Sequence, residues 1–346
     1  MYLLAVGGWR LAIGGWRLGG WRFGKVRKDD IMRAVKFRYE EFDLSGIQTY
    51  PLASRKSKAN AADVARPYRG GGLAVLLESF PHLLAAADFK AVVAAIRKAR
   101  DEGRGIIWGF GAHVIKTGLG PILIDLMERG FVSALATNGA GVIHDFELAM
   151  AGGTSEDVEE ALGPGRFGMA RETGELLNAA INDGVKEGHG LGQSVASRLR
   201  AMNPLHAHLS VLVAADRLEI PVTVHVAIGT DIIHMHPRAS GAALGEGSLR
   251  DFKYFVSSVA RLEHGVYLNC GSAVVLPEVF LKAVAIARNQ GTSLDGLTTV
   301  NLDFTRLYRP QTNVVSRPVL GIGKGYSLVG HHEIMIPLLA AALVDA

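Results

Sequence analysis

The chain has 346 residues, of which 49% are apolar, and a net charge of +4. That length buries the core of one large α/β domain or two modest ones. The mild charge demands no nucleic-acid partner, and no apolar run reaches the roughly 18–20 residues of a membrane-spanning helix.

Residues 1–22 repeat GGWR three times at irregular spacing, a low-complexity pattern that forms no packed face. Arginines interrupt its short apolar runs, and no small-residue cleavage site follows. Residues 1–34 are therefore expected to be a disordered extension, with a true start at Met32. Residues 35–72 read as a polar arm whose basic loop, Ser54–Asn60 (SRKSKAN), is either solvated or crosses onto a neighbouring subunit.

From residue 73 to 346 helix and strand patterns alternate. Helical spacing covers Phe89–Arg100, and Gly105–Phe110 (GIIWGF) is a short strand. Gly111-Ala112-His113 turns into a helix running to Gly130. Val132–Ala136 is the next strand. It breaks at Thr137-Asn138-Gly139-Ala140-Gly141 and resumes as a helix carrying His144, Asp145 and Glu147. Thr154–Gly188 reads as mostly helical, followed by helices over Gln193–Met202 and Ala207–Leu218. Pro221–Ala227 is a β-branched strand, and Ser248–Leu262 is a helix. Gly265–Cys270 is a strand, Val275–Asn289 a helix, Leu297–Asp303 a strand and Ile334–Val344 an apolar closing helix. Cys270 is the only cysteine and lies in an apolar run, so it reads as a buried structural thiol. It excludes an internal disulfide framework and fits a reducing, cytoplasmic setting. Strands separated by helices of this length imply parallel strands with right-handed crossovers, a single doubly wound α/β domain over 73–346.

In open parallel sheets, ligands bind beyond the carboxyl ends of the strands. Here those ends are Gly111-Ala112-His113, Thr137-Asn138-Gly139, Gly229-Thr230-Asp231, Asn269-Cys270-Gly271-Ser272 and Asn301-Leu302-Asp303. Together they make a rim suited to ribose hydroxyls, amides and phosphates, although turns are rich in such residues in any case. The helix after Thr137–Gly141 offers N–H groups to a phosphate. Gly109-Phe110-Gly111 begins a dinucleotide pattern but has Val114 where its last glycine belongs, and Gly321–Gly325 is also incomplete. Histidines gather at His225, His234, His236, His331 and His332, with His113 and His144 elsewhere. On a strand, His234 and His236 would point the same way. A metal-dependent hydrolase built on these side chains is one alternative, and no standard ligand spacing identifies a metal. A non-catalytic nucleotide-binding protein is another.

The order of these motifs resembles the deoxyhypusine synthase family, in its deoxyhypusine synthase-like branch, from about Gly105 to the C-terminus. The family strand ending in two threonines, Ala and two glycines before an acidic stretch matches Leu135–Asp145. Its Ser-Asn turn matches Ala112-His113, and its Thr-Asp after a Pro-Val strand matches Thr230-Asp231. Its glycine triplet before two valines matches Gly271-Ser272-Ala273 before Val274-Val275, and its Asn-Thr-Ala matches Asn301-Leu302-Asp303. The closing Phe-Pro-Leu-Leu matches Pro337-Leu338-Leu339. The resemblance implies a Rossmann-like NAD-binding domain assembled as a homotetramer. It places cofactor contacts at Ala112, His113, Thr137, Asn138, Gly139, Gly141, Thr230, Asp231, Gly271, Ser272, Asn301 and Asp303. The family oxidises an amine with NAD and passes an aminobutyl group through a lysine imine. The matching stretch here, Pro310–Val319, has no lysine, and Arg317 forms no imine because its guanidinium stays protonated. The expected activity is accordingly redox or transfer chemistry on an amine or related small molecule, without the usual imine-forming lysine. His144, Asp145, Asp231, His234 and Glu333 are the acid–base candidates.

Overall fold

In a computed structural model the described residues are 38–345. The GGWR segment and the start expected at Met32 lie outside them. The chain divides into two units at Ser57/Lys58. Of the first unit, the described part holds a 3-10 turn at Leu52–Ser54.

The second unit is built on a six-stranded, all-parallel sheet. Its strands are β1 (Ile106–Phe110), β2 (Ala134–Asn138), β3 (Val222–His225), β4 (Val266–Cys270), β5 (Thr298–Asp303) and β6 (Lys324–Val329). The spatial order is β3-β2-β1-β4-β5-β6, the doubly wound Rossmann order, in which the direction of winding reverses between β1 and β4. There Ile106 aligns with Val266 and Phe110 with Cys270, so the two strands end level at their carboxyl tips.

Near-continuous apolar strands are explained by helices on both faces. Ile106, Trp108 and Phe110 of β1, Leu135 of β2 and Val266 and Leu268 of β4 enter one core layer. The residues between them, Ile107, Ala134, Ala136 and Tyr267, enter the other, as the two-residue strand period requires. The first layer is closed by helices α1 (Gly72–Ser79), α2 (Leu84–Asp101), α3 (Ala112–Lys116), α4 (Gly120–Glu128) and α5 (Gly139–Ala151). With them pack α7 (Arg171–Lys186), α8 (Leu191–Met202), α9 (Val211–Arg217) and the C-terminal helix His332–Asp345, while α6 (Val158–Leu162) contributes no residue to this layer. The second layer is closed by α10 (Gly241–Val259) and α11 (Val275–Asn289), where Tyr267 stacks on Phe280. Gly109 makes room for that tyrosine, since a Cβ there would lie 2.7 Å from its hydroxyl. Cys270 is fully buried, and burial pushes its thiol up to about 12, so it is an inert core residue.

Five strands fall where the sequence places them, with corrections elsewhere. The expected helix from Ala112 to Gly130 is two, α3 and α4, broken at Gly118 with φ +81°. The helix expected over Thr154–Gly188 is two pieces, with irregular chain before the first and turns between them. The strand ending at β3 stops at His225, so His234 and His236 are not on a strand. His234 lies in a 3-10 turn, Ile232–Met235, that follows Gly229-Thr230-Asp231. The edge strand β6 is absent from the sequence expectation, because its glycine-rich entry reads as a loop and its side chains alternate poorly.

Candidate functional site

The carboxyl ends of the strands carry the polar residues, and they fall into two groups. At the switch point, Gly111 leads from β1 into α3 and gives no side-chain cap, so the first N–H groups of that helix, at Ala112 and His113, are free of one. The β1 and β4 turns touch: a Cβ at Gly111 would lie 2.5 Å from the Gly271 carbonyl oxygen. Gly271 has φ +71°, and a Cβ on it would meet the His332 ring at 2.7 Å. His332 is buried, with Nε2 3.2 Å from the Leu302 carbonyl, which only accepts; Nε2 therefore carries the proton. His113 meets its ring edge-on at 6.0 Å. Beside them Asn269 Nδ2 donates to Asn301 Oδ1 at 2.8 Å and to the Ser272 carbonyl at 2.9 Å. Ser272 Oγ accepts from Leu276 N–H, and Asp303 Oδ1 accepts from Phe304 N–H. Gly271, Ser272, Asn301 and Asp303 are thus brought together, and their polar side-chain atoms serve one another or the local backbone.

Beyond β2 and β3 the arrangement differs. Thr137 Oγ1 donates to the Phe110 carbonyl at 3.0 Å, and Asn138 caps α5 by accepting from Gly141 N–H at 2.9 Å. A Cβ on Gly141 would lie 2.3 Å from Thr137 Oγ1, and one on Gly139 would lie 2.1 Å from Asp231 Oδ2. The start of α5, which the sequence offers to a phosphate, is filled by the chain's own Asn138 and Asp231. The partial positive charge of that helix start holds the nearest anion, and the β3 turn supplies it. Thr230 Oγ1 bonds the Ala227 carbonyl at 2.7 Å.

Asp231 and His234 form a buried pair, with 6% and 5% of their side-chain surface exposed. His234 Nδ1 accepts from Gly229 N–H and, at 3.3 Å, from Asp231 N–H, so its proton lies on Nε2. Nε2 stands 3.8 Å from Asp231 Oδ2, and neither atom has a hydrogen-bond partner. Burial raises the Asp231 carboxyl pKa, against the opposing pull of His234 and of Ala140 N–H.

Asp231 also borders a cavity of about 420 Å³, together with Lys116 of α3, His144 and Glu147 of α5, and Glu156 and Phe167 from the connection between α5 and α7. His144 and Glu147 are joined through Thr154. Its hydroxyl donates to Glu147 Oε2 at 2.6 Å and lies 2.7 Å from His144 Nδ1; Thr173 holds Glu147 Oε1 at 3.0 Å. A hydroxyl that donates to a carboxylate accepts from the imidazole, so His144 carries its proton on Nδ1 and presents the Nε2 lone pair. Burial lowers the His144 pKa; Glu147 opposes this, and Lys116 and His113 reinforce it. The imidazole is therefore neutral at neutral pH, the form a general base requires.

Asp145 and Glu333 lie elsewhere. The buried Asp145 accepts from Ser210 Oγ, Val211 N–H and Leu212 N–H at the start of α9, a structural cap that reassigns it from the acid–base set. Burial pushes its carboxyl up to about 6 against those donors. Glu333 is exposed, 3.9 Å from His331. His225 is buried against Phe255, and burial pushes its imidazole down to about 4. Among the described residues, no three His, Cys, Asp or Glu side chains gather to hold a metal ion. Sequence reading misses Thr154, Thr173 and Lys116, for which the spacing gives no cue. Glu147 is visible there only as a helix residue near His144.

No family model and no curated protein matches the sequence. Solved structures do. One is AgrE in a ternary complex with ornithine and NAD+, at 19% identity and TM-score 0.49, covering 75% of this chain and 34% of that one. Another is a conserved Methanococcus maripaludis protein proposed to be of the LOR/SDH type, at 18% identity and TM-score 0.47, covering 75% and 70%. A third is a protein of Entamoeba histolytica proposed to be a deoxyhypusine synthase, at 13% identity and TM-score 0.45, covering 80% and 96%. The chain spans about a third of the length of the cyanobacterial arginine dihydrolase ArgZ and of AgrE. At these identities and TM-scores the likeness carries nothing beyond the fold.

Proposed function

We propose that the chain is an NAD-binding enzyme of the deoxyhypusine synthase-like kind that acts on an amine or related small molecule held in the cavity beside His144. The observation that carries this reading is the Glu147–Thr154–His144 relay, which leaves an unprotonated imidazole nitrogen at a cavity beyond the β2 and β3 ends. NAD fits the β1–α3 turn better than the start of α5. The first has no side-chain cap and sits at the switch point; the second is capped by Asn138 and has Asp231 against it. Ala112 and His113 N–H would receive the phosphates, with Gly111 allowing close backbone approach. Bound NAD would supply a hydride acceptor or donor.

His144 would take a proton from the substrate amine or alcohol at Nε2, while Thr154 and Glu147 steady the imidazole through Nδ1. Assembly as a homotetramer and a cytoplasmic location belong to the same reading through the family resemblance. The test is calorimetric titration of the purified chain with NAD+ and NADH, followed by a panel of amines scored by NADH absorbance. Uptake of the dinucleotide and its reduction with at least one amine are expected. A chain that takes up neither form overturns the reading.

A further inference from the structure

Thr154 stands between the two partners of the candidate base, yet α5, which carries both, does not carry it. Its single hydroxyl proton goes to Glu147 Oε2, so the contact with His144 Nδ1 uses the imidazole N–H. Glu147 makes no bond of its own to His144, because its oxygens go to Thr154 and Thr173. One hydroxyl thus fixes which ring nitrogen holds the proton.

That hydroxyl belongs to residues 152–170, the connection between α5 and α7. Positive φ angles stand on both sides of it, at Gly152 (+71°) and Ser155 (+69°), and again at Gly165 (+72°) and Gly168 (+73°). Ser155, Glu156, Val158 and Phe167 of this connection wall the cavity. Its far end seats on the β3 turn, where a Cβ on Gly168 would come within 2.7 Å of Ile232 and of Met235. The Glu156 carboxylate accepts from Gly168 N–H at 2.8 Å, a bond internal to the connection. Thr154 is therefore where a cavity wall built largely from its own contacts grips the helix beneath.

We propose that Thr154 is a positioning residue: seating of residues 152–170 over the cavity puts its hydroxyl between Glu147 and His144, fixes the proton on Nδ1 and so makes Nε2 the free base only when the wall is in place. The catalytic meaning rests on the reading of His144 given above; the tautomer does not. The charged and titratable groups facing His144 are Glu147 on α5, Lys116 and His113 on α3, Glu156 on the wall and Asp231 on the β3 turn. None of them bonds Nδ1 in place of the threonine.

The test is nitrogen NMR of the full chain with labelled histidine, at a pH where the imidazoles are neutral, with His144 assigned by its loss in H144Q. Wild type and T154S should show His144 protonated on Nδ1. T154V should lose that form and show the Nε2-protonated ring, with the other histidine signals in place as a check on folding. If T154V does not fold, T154A takes its place. A T154V or T154A ring still protonated on Nδ1 overturns the proposal, as does a T154S ring that changes as fully as T154V. On any amine that is turned over, T154V should lower kcat/KM about tenfold and shift its pH profile, and T154S should restore both. Absence of NAD uptake leaves the NMR result standing, so the two readings fail separately.

Discussion

The two halves of the sheet's carboxyl edge use similar residues to opposite ends. Above β1, β4 and β5, Asn269, Ser272, Asn301, Asp303 and His332 bond one another or nearby backbone, and the Asn269 Oδ1 atom is left buried without a partner. Above β2 and β3, His144 presents a lone pair to a cavity, and Asp231 Oδ2 and His234 Nε2 stand buried without partners. A buried polar group left unpaired costs about 1–3 kcal/mol, so a fold tolerates it mainly where a ligand completes it. A polar strand end is thus no sign of a site until its atoms are accounted for.

Substitution of the two histidines draws this contrast most sharply. H144Q is expected to lower turnover by roughly 10²- to 10⁴-fold, the usual worth of a general base. H332Q keeps an N–H for the Leu302 carbonyl and should lose little. Steady-state rates on the same amine check both, and equal losses would erase the distinction.

Next in size is a pH effect beneath β3. Asp251 Oδ2 accepts from Gly192 and Val224 N–H, yet burial raises its carboxyl from 3.8 to about 7. A raised acid pKa means that the folded state holds the proton more tightly than the unfolded state. This group's stabilising contribution is therefore full below about pH 4 and is lost as pH rises to about 7. The ceiling is about 4 kcal/mol, at about 1.4 kcal/mol for each tenfold gain in proton affinity. Urea unfolding between these pH values should show D251N with a flatter profile than wild type. An unchanged slope would remove Asp251 from the account.

N301A should cost about 1–3 kcal/mol in urea unfolding, because a buried Asn269 N–H loses its acceptor. T230A, on an exposed turn, should change stability by less than about 0.5 kcal/mol. A coupling of modest size is expected as well. A Cβ on Gly139 collides with Asp231, so the cost of G139A should shrink in a D231A background by about 0.5–1 kcal/mol. Additive costs would mean that the carboxylate does not rest on the helix start.

Much of the frame was legible because it rests on local chemistry. Apolar runs such as Ile106–Phe110 and Val266–Cys270 have too few polar atoms for any place but a sheet covered on both faces, and the glycine turns after them mark where each ends. Strand β6 escaped because an edge strand needs only one neighbour and shows no clean alternation. Asp145 reads as a site residue from its neighbours His144 and Glu147, yet it points to Ser210 at a helix start far along the chain. His234 and His236 lose their shared face because the chain turns at Gly229-Thr230-Asp231 before reaching them.

Sequence alone determined the strand–helix alternation, the parallel sheet it implies, and the inert setting of Cys270, since hydrophobic period and turn residues act over a few positions. Only the tertiary structure decided that Asp231 fills the start of α5 and that Thr154 orients His144. Those pairings join atoms brought together by the winding of the sheet and by one connecting segment, and no local pattern encodes which polar atom will meet which.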